Sequence, residues 1–345
     1  MVRSSVHGEP SFSDPVGFVK GHRGRSIASD DCPVRGTQNF GVSGCCARRG
    51  DSANGQIWDI RRALVAAAAA SLGFPLPNRS HPPLRIADIM PSVLAIAAHH
   101  DDIEFVMAGT LLRLRESGWD LHYMNLADGC RGTTTMDRAS CAAVRLEEAR
   151  TAAGILGATF YPPICPDMEI AYTTELLRKV AAVVRQARPS IVLTHSPVDY
   201  MEDHENACRL AVSAAFTHGM PNFESDPPVD VYMDPVTVYH AQPVGNATPL
   251  GERVWPGIYI DIGDVMEKKA EALAAHVSQK RWLDESQGMD SYIQTMRDGS
   301  AVVGEMSGEY EYAEGWRRRE HWGFCGPDDD PLSAALVGRC GKRAS

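Results

Sequence analysis

Two histidines and two aspartates stand together directly after an unbroken apolar run. The run is residues 93–98, and the polar residues are His99, His100, Asp101 and Asp102. Six consecutive apolar residues predict a buried strand of a parallel sheet, and ligands bind at the carboxyl edge of such sheets. Two aspartates before a helix can simply cap it. An imidazole three residues before a carboxylate, with another aspartate between them as a free base, favours a hydrolytic metal site.

A second polar stretch follows a later apolar segment. The predicted strand at 190–194 runs into a stretch that carries His195, Asp203 and His204. Strand and helix patterns alternate along the chain, which predicts right-handed crossovers and a mostly parallel sheet. We expect the strands at 93–98 and 190–194 to be neighbours where the strand order reverses, so that the two polar stretches face each other.

These patterns predict the α/β class, a Rossmann-like, mostly parallel sheet with helices on both faces. The predicted helices are residues 105–116, 145–156, 176–187, 203–218 and 264–281, and the later strands are residues 121–126, 158–161, 190–194, 236–240 and 258–262. No Gly-x-Gly-x-x-Gly follows the first strand, which disfavours dinucleotide binding. There is no Gly-x-Ser-x-Gly and no cysteine in an activating setting, which disfavours serine and cysteine hydrolases.

The composition is that of a globular protein without a basic binding surface. The 345 residues are 44% hydrophobic and 7% aromatic, and the net charge of −10 disfavours nucleic acid as a partner. Nine cysteines, odd in number and without CxxC, indicate idle thiols in a reducing, cytoplasmic compartment rather than a disulfide framework. No stretch approaches the length of a membrane span.

Charge and composition divide the chain unevenly. Residues 1–89 hold 11 of the 34 basic residues but 7 of the 44 acidic ones. We expect 1–89 to be a partly disordered N-terminal extension, 90–330 to be the functional domain and 331–345 to be a C-terminal tail. An alanine-rich run at 61–74 resembles the apolar part of a secretory signal but starts too late, so export is the less favoured alternative.

Together the two polar stretches resemble the PIG-L-type, or LmbE-like, family of zinc-dependent N-acetylglucosaminyl de-N-acetylases. The family's Ala-His-Pro-Asp-Asp-x-Glu corresponds to residues 98–104, with His100 in place of the proline. Residues 201–204 resemble its later His-Pro-Asp-His motif. Between them, residues 128–132 look like the family's glycine loop, and residues 145–148 look like its Arg-x-x-Glu.

The resemblance covers roughly residues 90–280 and implies roles for the polar residues. By this resemblance His99, Asp102 and His204 are the zinc ligands, and Asp101 is the general base. Three protein ligands leave zinc a position for water, whose pKa falls to about 7. An aspartate that lies beside the metal can accept the proton of that water during attack on an acetamide carbonyl. Another divalent metal would also suit these ligand types.

Three further residues are candidates for supporting roles. Asp203 is expected to orient an imidazole, as metal-binding histidines require, and a helix cap is its alternative role. Arg131 and Arg145 are candidate substrate contacts, because guanidinium groups offer planar donors to hydroxyls and carboxylates. For Arg145, a salt bridge with Glu148 is an equal alternative.

Met201 is the departure from the family pattern that matters for the chemistry. The family usually has a histidine there, which acts as general acid or stabilises the tetrahedral intermediate, and a thioether can do neither. Either His240 or the candidate substrate contact His195 supplies the proton, or Asp101 acts first as base and then as acid. The third alternative is that catalysis has been lost.

The sequence therefore predicts a zinc-dependent hydrolase that removes an acetyl group from an N-acetylated amino sugar or its conjugate. One alternative is a family member that keeps the metal or sugar site without efficient turnover. A less favoured one is a non-haem iron enzyme, since two histidines and a carboxylate also suit iron. The sequence leaves open which small acetylated substrate is used and whether the chain forms a homo-oligomer.

Overall fold

The first apolar run forms strand β1 (Ser92–Ala97), all of whose residues are buried. The later strands are β2 (Asp120–Asn125), β3 (Thr159–Tyr161), β4 (Ile191–Thr194), β5 (Thr237–Ala241), β6 (Ile258–Asp261), β7 (Ala313–Arg318) and β8 (Cys340–Lys342). The computed structural model describes residues 90–287 and 291–343, and in it these strands form one sheet with the order β3-β2-β1-β4-β5-β7-β6-β8. The predicted extension at 1–89 lies outside the described residues.

Helices cover both faces of this sheet. They are α1 (Asp102–Val106), α2 (Ala108–Glu116), α3 (Arg138–Leu156), α4 (Thr174–Ala187), α5 (Glu202–Thr217), α6 (Met266–Ala274), α7 (Val277–Gln287), α8 (Tyr292–Ser307) and α9 (Pro331–Ala335). Apolar residues of α4 and α5 pack on one face, and apolar residues of α2, α3, α6 and α8 pack on the other. Because both faces are covered, the central strands are continuous apolar runs rather than alternating ones.

The strand order reverses at β1. The first five strands are parallel, and β1 pairs with β2 on one side and with β4 on the other. The chain therefore winds outward in both directions from β1, and the crevice between the ends of β1 and β4 is the ligand position expected for such sheets. The predicted fold class and the predicted contact between these two strands are confirmed.

Two predicted helix boundaries differ for local reasons. The helix predicted at 105–116 is interrupted at Met107, whose φ of −134° is not helical. The helix predicted to begin at Arg145 begins at Arg138 instead. There the carboxylate of Asp137 accepts two backbone N–H groups of the first turn, which is the preferred way to start a helix.

The C-terminal part of the chain completes the sheet, which corrects the prediction of a tail. Trp316 is fully buried in β7, which pairs antiparallel with both β5 and β6. Residues 331–345, predicted to follow the domain, contribute α9 and the edge strand β8. Their sequence has no strand-like alternation, and β8 forms because its backbone completes the hydrogen bonds of β6.

Two compositional predictions concern membranes and disulfides. Within residues 90–287 and 291–343, every helix is too short or too polar to cross a membrane. The cysteines of that part of the chain are free thiols: Cys130, Cys141, Cys165, Cys208, Cys325 and Cys340.

Candidate metal centre

The two predicted polar stretches meet at the carboxyl edge of the sheet. β1 runs into the turn that carries His99 and Asp102, and β4 runs into the loop that leads to α5 and His204. Because β1 and β4 are neighbours, one donor atom from each of the three residues lies within 4.8 Å of the others. The side chains of His99 and Asp102 keep 13% and 15% of their exposure, so the group is open to solvent on one side.

The carboxylate of Asp102 stands at the centre of this group. Its Oδ1 lies 3.4 Å from Nε2 of His204, and its Oδ2 lies 3.5 Å from Nδ1 of His99. Oδ2 also accepts the backbone N–H of His99 at 2.7 Å, which fixes the carboxylate on the turn. Two imidazoles and one carboxylate that converge in this way are the donor set of a catalytic zinc site with an open position.

Two other aspartates hold the outer nitrogens of the histidines. Oδ2 of Asp203 lies 3.0 Å from Nε2 of His99, and Oδ1 of Asp199 lies 3.2 Å from Nδ1 of His204. Each histidine therefore turns its remaining nitrogen toward Asp102, and metal-binding histidines usually have such a partner. Asp203, predicted to orient an imidazole, contacts that of His99. The matching role of Asp199 is not predicted from the sequence, although it lies on the same loop five residues before His204.

The protonation of both histidines reflects these carboxylates. Burial alone lowers the pKa of His204, but Asp102 and Asp199 outweigh burial and raise the pKa to about 10. Burial likewise lowers the pKa of His99, whereas Asp102 and Asp203 raise it to about 9. A metal ion competes with protons for the same nitrogen atoms. A pocket that favours positive charge on its imidazoles so strongly fits a divalent cation.

Asp101 precedes Asp102 in an unusual backbone conformation, with φ at 108° and ψ at −23°. It occupies the N-cap position of α1, but its carboxylate makes no capping hydrogen bond, so the capping interpretation is wrong for this residue. Burial, and after it the neighbouring carboxylate of Asp102, raises the pKa of Asp101 to about 6. Asp101 is thus a buried carboxyl group next to Asp102 in the chain, and its role as the general base stays a prediction.

His195 supports the metal donors from behind. Its ring stacks on that of His204 with the centroids 4.2 Å apart, and its Nε2 accepts the backbone N–H of Ala98 at 2.9 Å. The same nitrogen lies 3.2 Å from Oδ2 of Asp102. Since His195 is 4% exposed, its position favours bracing the two loops rather than the predicted contact with substrate.

His240 does not reach the metal donors, which argues against its predicted catalytic role. The residue is buried, with Nδ1 3.0 Å from the backbone oxygen of His195 and 3.4 Å from Sγ of Cys208. Burial lowers the pKa of His240 to about 4, so the ring is neutral near pH 7. A neutral ring behind His195 is poorly placed to protonate a leaving group.

The two predicted substrate arginines differ in exposure. Arg131 is half exposed and pairs with Glu169 at the protein surface. Arg145 is 2% exposed, and it donates to the backbone oxygen of His100 at 2.8 Å. Arg145 therefore braces the metal turn from inside, which corrects its prediction as a substrate contact. Its alternative partner Glu148 instead accepts two hydrogen bonds from Ser278, at 2.9 and 2.6 Å.

The glycine loop is shaped around this buried arginine. A Cβ at Gly129 would lie 2.7 Å from Cδ of Arg145, and a Cβ at Gly132 would lie 2.4 Å from its Nη1. Gly129 also has a φ of +73°, which side chains disfavour. The glycines thus let the loop after β2 close over Arg145, and Asp167 holds the loop by accepting the N–H groups of Gly129 and Arg131.

Comparison with known proteins identifies the family. Residues 94–216 match the family described as PIG-L: GlcNAc-PI de-N-acetylase. A diacetylchitobiose deacetylase of Thermococcus kodakarensis is 34% identical over 231 residues, which are 65% of this chain and 82% of that protein. The chain belongs to the PIG-L family, as its motifs predict.

Hydratases as well as deacetylases are similar to this chain. A 4-oxalmesaconate hydratase of Pseudomonas putida is 29% identical over 197 residues, which are 55% of this chain and 74% of that protein. Among solved structures, the N,N'-diacetylchitobiose deacetylase of Pyrococcus horikoshii is 25% identical with a TM-score of 0.57, covering 75% of this chain and 92% of its own. The 4-carboxy-2-hydroxymuconate hydratase of Pseudomonas putida is also 25% identical, with a TM-score of 0.56 and 66% and 96% coverage. Because one fold serves deacetylases and hydratases, the side chains must decide the reaction.

Proposed function

We propose that this protein is a zinc-dependent deacetylase that hydrolyses the acetamide of an N-acetylated amino sugar or its conjugate. The observation that carries the proposal is the convergence of His99, Asp102 and His204 on one point, with Asp101 beside them. The deacetylase of Thermococcus kodakarensis supports it as well, since it is more similar to this chain than the hydratase of Pseudomonas putida in both identity and coverage.

The residues of the site divide the work of the proposed reaction. A bound zinc would polarise the acetamide carbonyl and make a neighbouring water more acidic. Asp101 accepts a proton from the water as its oxygen attacks the carbonyl carbon, and returns that proton to the nitrogen as the C–N bond breaks. Acetate and a free amine are the products. Asp199 and Asp203 keep the two histidines in the orientation that binding requires.

Met201 supports a second candidate function, a family member that binds metal and an acetylated sugar with little turnover. The residue is the partly buried N-cap of α5, three positions before His204. A thioether donates no proton and no hydrogen bond, so the side chain at this position cannot stabilise an oxyanion. The two candidates therefore differ in whether the Asp101 carboxylate alone sustains proton transfer.

The test is acetate release from N,N'-diacetylchitobiose and N-acetylglucosamine, measured with the zinc-loaded protein, the chelated protein and the Asp101→Asn variant. A deacetylase releases acetate, stops on chelation, recovers on zinc addition and loses about 100-fold or more of its rate in Asp101→Asn. Elemental analysis checks that the variant still carries zinc.

Three other outcomes are informative. Zinc-loaded protein that releases acetate only after Met201→His is the binding family member. Addition of water to an unsaturated dicarboxylate without any acetate release would place the chain with the hydratases. Protein that retains no metal and takes up none on titration would overturn the metal-dependent proposals.

A further inference from the structure

The hydroxyl of Tyr292 reaches Asp101 from a part of the chain 191 residues away. Tyr292 is the first residue of α8, and its Oη donates to Oδ2 of Asp101 at 2.6 Å. Tyr292 is 1% exposed and Asp101 is 6% exposed, so the bond is shielded from water. Tyr292 also lies outside residues 94–216, the segment that matches the family. The family match therefore gives this tyrosine no role.

We propose that Tyr292 is the positioning residue for Asp101, an inference that rests on the deacetylase function proposed above. Aspartate is favoured at helix N-caps because its carboxylate can accept the free N–H groups of the first turn. Asp101 occupies that position at α1 but makes no such bond, and its carboxylate is bonded to Tyr292 instead. The tyrosine thus holds the side chain away from its most favourable local partner.

The backbone of Asp101 is strained as well. A φ of 108° is rare for a residue with a Cβ, and such conformations persist only where the surroundings hold them. Here the turn is held on two sides, because Arg145 donates to the oxygen of His100 and Tyr292 donates to Asp101. Strain maintained in this way is common where a reactive group must keep one orientation.

The tyrosine ring is fixed independently of its hydroxyl. It packs edge-on against Phe105 of α1, with the ring centroids 5.3 Å apart and an interplanar angle of 68°. The hydroxyl therefore has a defined position from which to hold Oδ2 of Asp101. The hydroxyl occupies Oδ2, so the inference assigns Oδ1 of Asp101 to the attacking water.

The experiment replaces Tyr292 by phenylalanine, which keeps the ring and removes the one hydroxyl. The expected result is a fall in kcat of about 10- to 100-fold, since small displacements of a catalytic group cost rates of this order. KM, zinc content and the melting temperature change little. The matched control is Tyr239→Phe, because Tyr239 is also buried and donates to a carboxylate, Oδ1 of Asp330, at 2.9 Å. The control loses this bond and the one that its oxygen accepts from the N–H of Leu332 at 3.3 Å, and it keeps its kcat.

A double variant separates positioning from general structural damage. If Tyr292 acts through Asp101, then Tyr292→Phe lowers the rate of the natural protein but lowers the rate of Asp101→Asn no further. A kcat within twofold of the natural protein, or the same factor in both backgrounds, would overturn the inference. A loss of zinc or melting temperature beyond that of the control would do so too.

A crystal structure of Tyr292→Phe tests the inference without activity. We expect the Asp101 carboxylate to leave its place and turn toward the first turn of α1, while the zinc donors stay. An Asp101 carboxylate that keeps its position without the hydroxyl would overturn the positioning role. Zinc-loaded natural protein that releases no acetate would instead count against the proposed function, and the crystallographic result would still decide the role of Tyr292.

Discussion

Two of the buried charge clusters among the described residues are built differently. In the first, Nζ of Lys269 lies 2.7 Å from Oε1 of Glu314 and 3.3 Å from Oγ of Ser300. Glu314 also accepts the backbone N–H groups of Gly109 and Thr110, at 2.8 and 2.7 Å. Every charge in this cluster has a close partner of opposite polarity, so the cluster closes on itself.

The charges of the candidate metal centre are arranged differently. The carboxylate of Asp102 lies 3.2 to 3.5 Å from ring nitrogens of His99, His195 and His204. These distances are longer than the 2.7 Å between Lys269 and Glu314. On the sides of the rings that face away from Asp102, His204 contacts Asp199 and His99 contacts Asp203. In a structural ion pair the two charges neutralise each other. In a functional site the donor atoms converge on one point, and their hydrogen-bond partners lie on the side away from that point.

The largest expected effect comes from removing a donor of the candidate metal centre. His204→Ala removes one of three donors, so zinc content falls from about one per chain to near zero and acetate release falls by about 1,000-fold or more. Elemental analysis and an acetate assay measure this. His321→Ala, which removes a histidine outside the cluster, keeps both. A His204→Ala protein that retains its zinc would show that the two clusters do not differ as described.

The next largest effect concerns the cluster of Lys269 and Glu314. Lys269→Met leaves the buried charge of Glu314 unpaired, so we expect the free energy of unfolding to fall by about 3–5 kcal/mol. Zinc content per folded chain stays unchanged. Urea unfolding measures the first quantity and elemental analysis the second. The double variant Lys269→Met, Glu314→Gln recovers part of the lost free energy of unfolding. A Lys269→Met protein that folds stably but loses its zinc would contradict the distinction between the two clusters.

A smaller effect tests the support behind the metal donors. Asp203→Asn weakens the partner of His99, and Asp199→Asn weakens that of His204, so each lowers zinc affinity by about 10- to 100-fold. Competition with a chromophoric chelator measures the affinity. Asp230→Asn, at an exposed position, is the control. Equal affinity in all three variants would mean that the outer carboxylates do not support binding.

The smallest effect concerns the open side of the centre. Tyr200 is 63% exposed, and its ring stands edge-on to His204 with the centroids 5.4 Å apart. Its exposed surface can pack against a sugar, so we expect Tyr200→Leu to raise KM about fivefold at unchanged kcat, by analogy with other aromatic contacts. Steady-state kinetics on N,N'-diacetylchitobiose measure this. A change in kcat alone would place Tyr200 in the chemistry rather than in substrate contact.

The candidate metal donors were predictable because each polar stretch is local. His99 and Asp102 share one short turn after an apolar run, and apolar runs that alternate with helical patterns predict parallel neighbours. Two stretches that each follow such a strand can then be expected at one edge of the sheet. Asp203 was predictable for the same reason, since it adjoins His204.

Other parts of the site depend on contacts that no local pattern records. The burial of Arg145 under the glycine loop and of His240 behind His195 follows from how the elements pack, so their predicted contacts with substrate or the leaving group do not fit. Trp316 and the last strand enter the sheet through backbone pairing, which needs little from side-chain pattern.

The sequence by itself determined the family, the α/β class and the three residues proposed as metal donors, because periodicity and short motifs act over a few residues. The tertiary structure alone decided what surrounds them: that Asp199 holds His204, that Arg145 braces the metal turn, and that Tyr292 reaches Asp101 across 191 residues. Such contacts are set by the packing of distant elements, in which a residue's neighbours in space are unrelated to its neighbours in the chain.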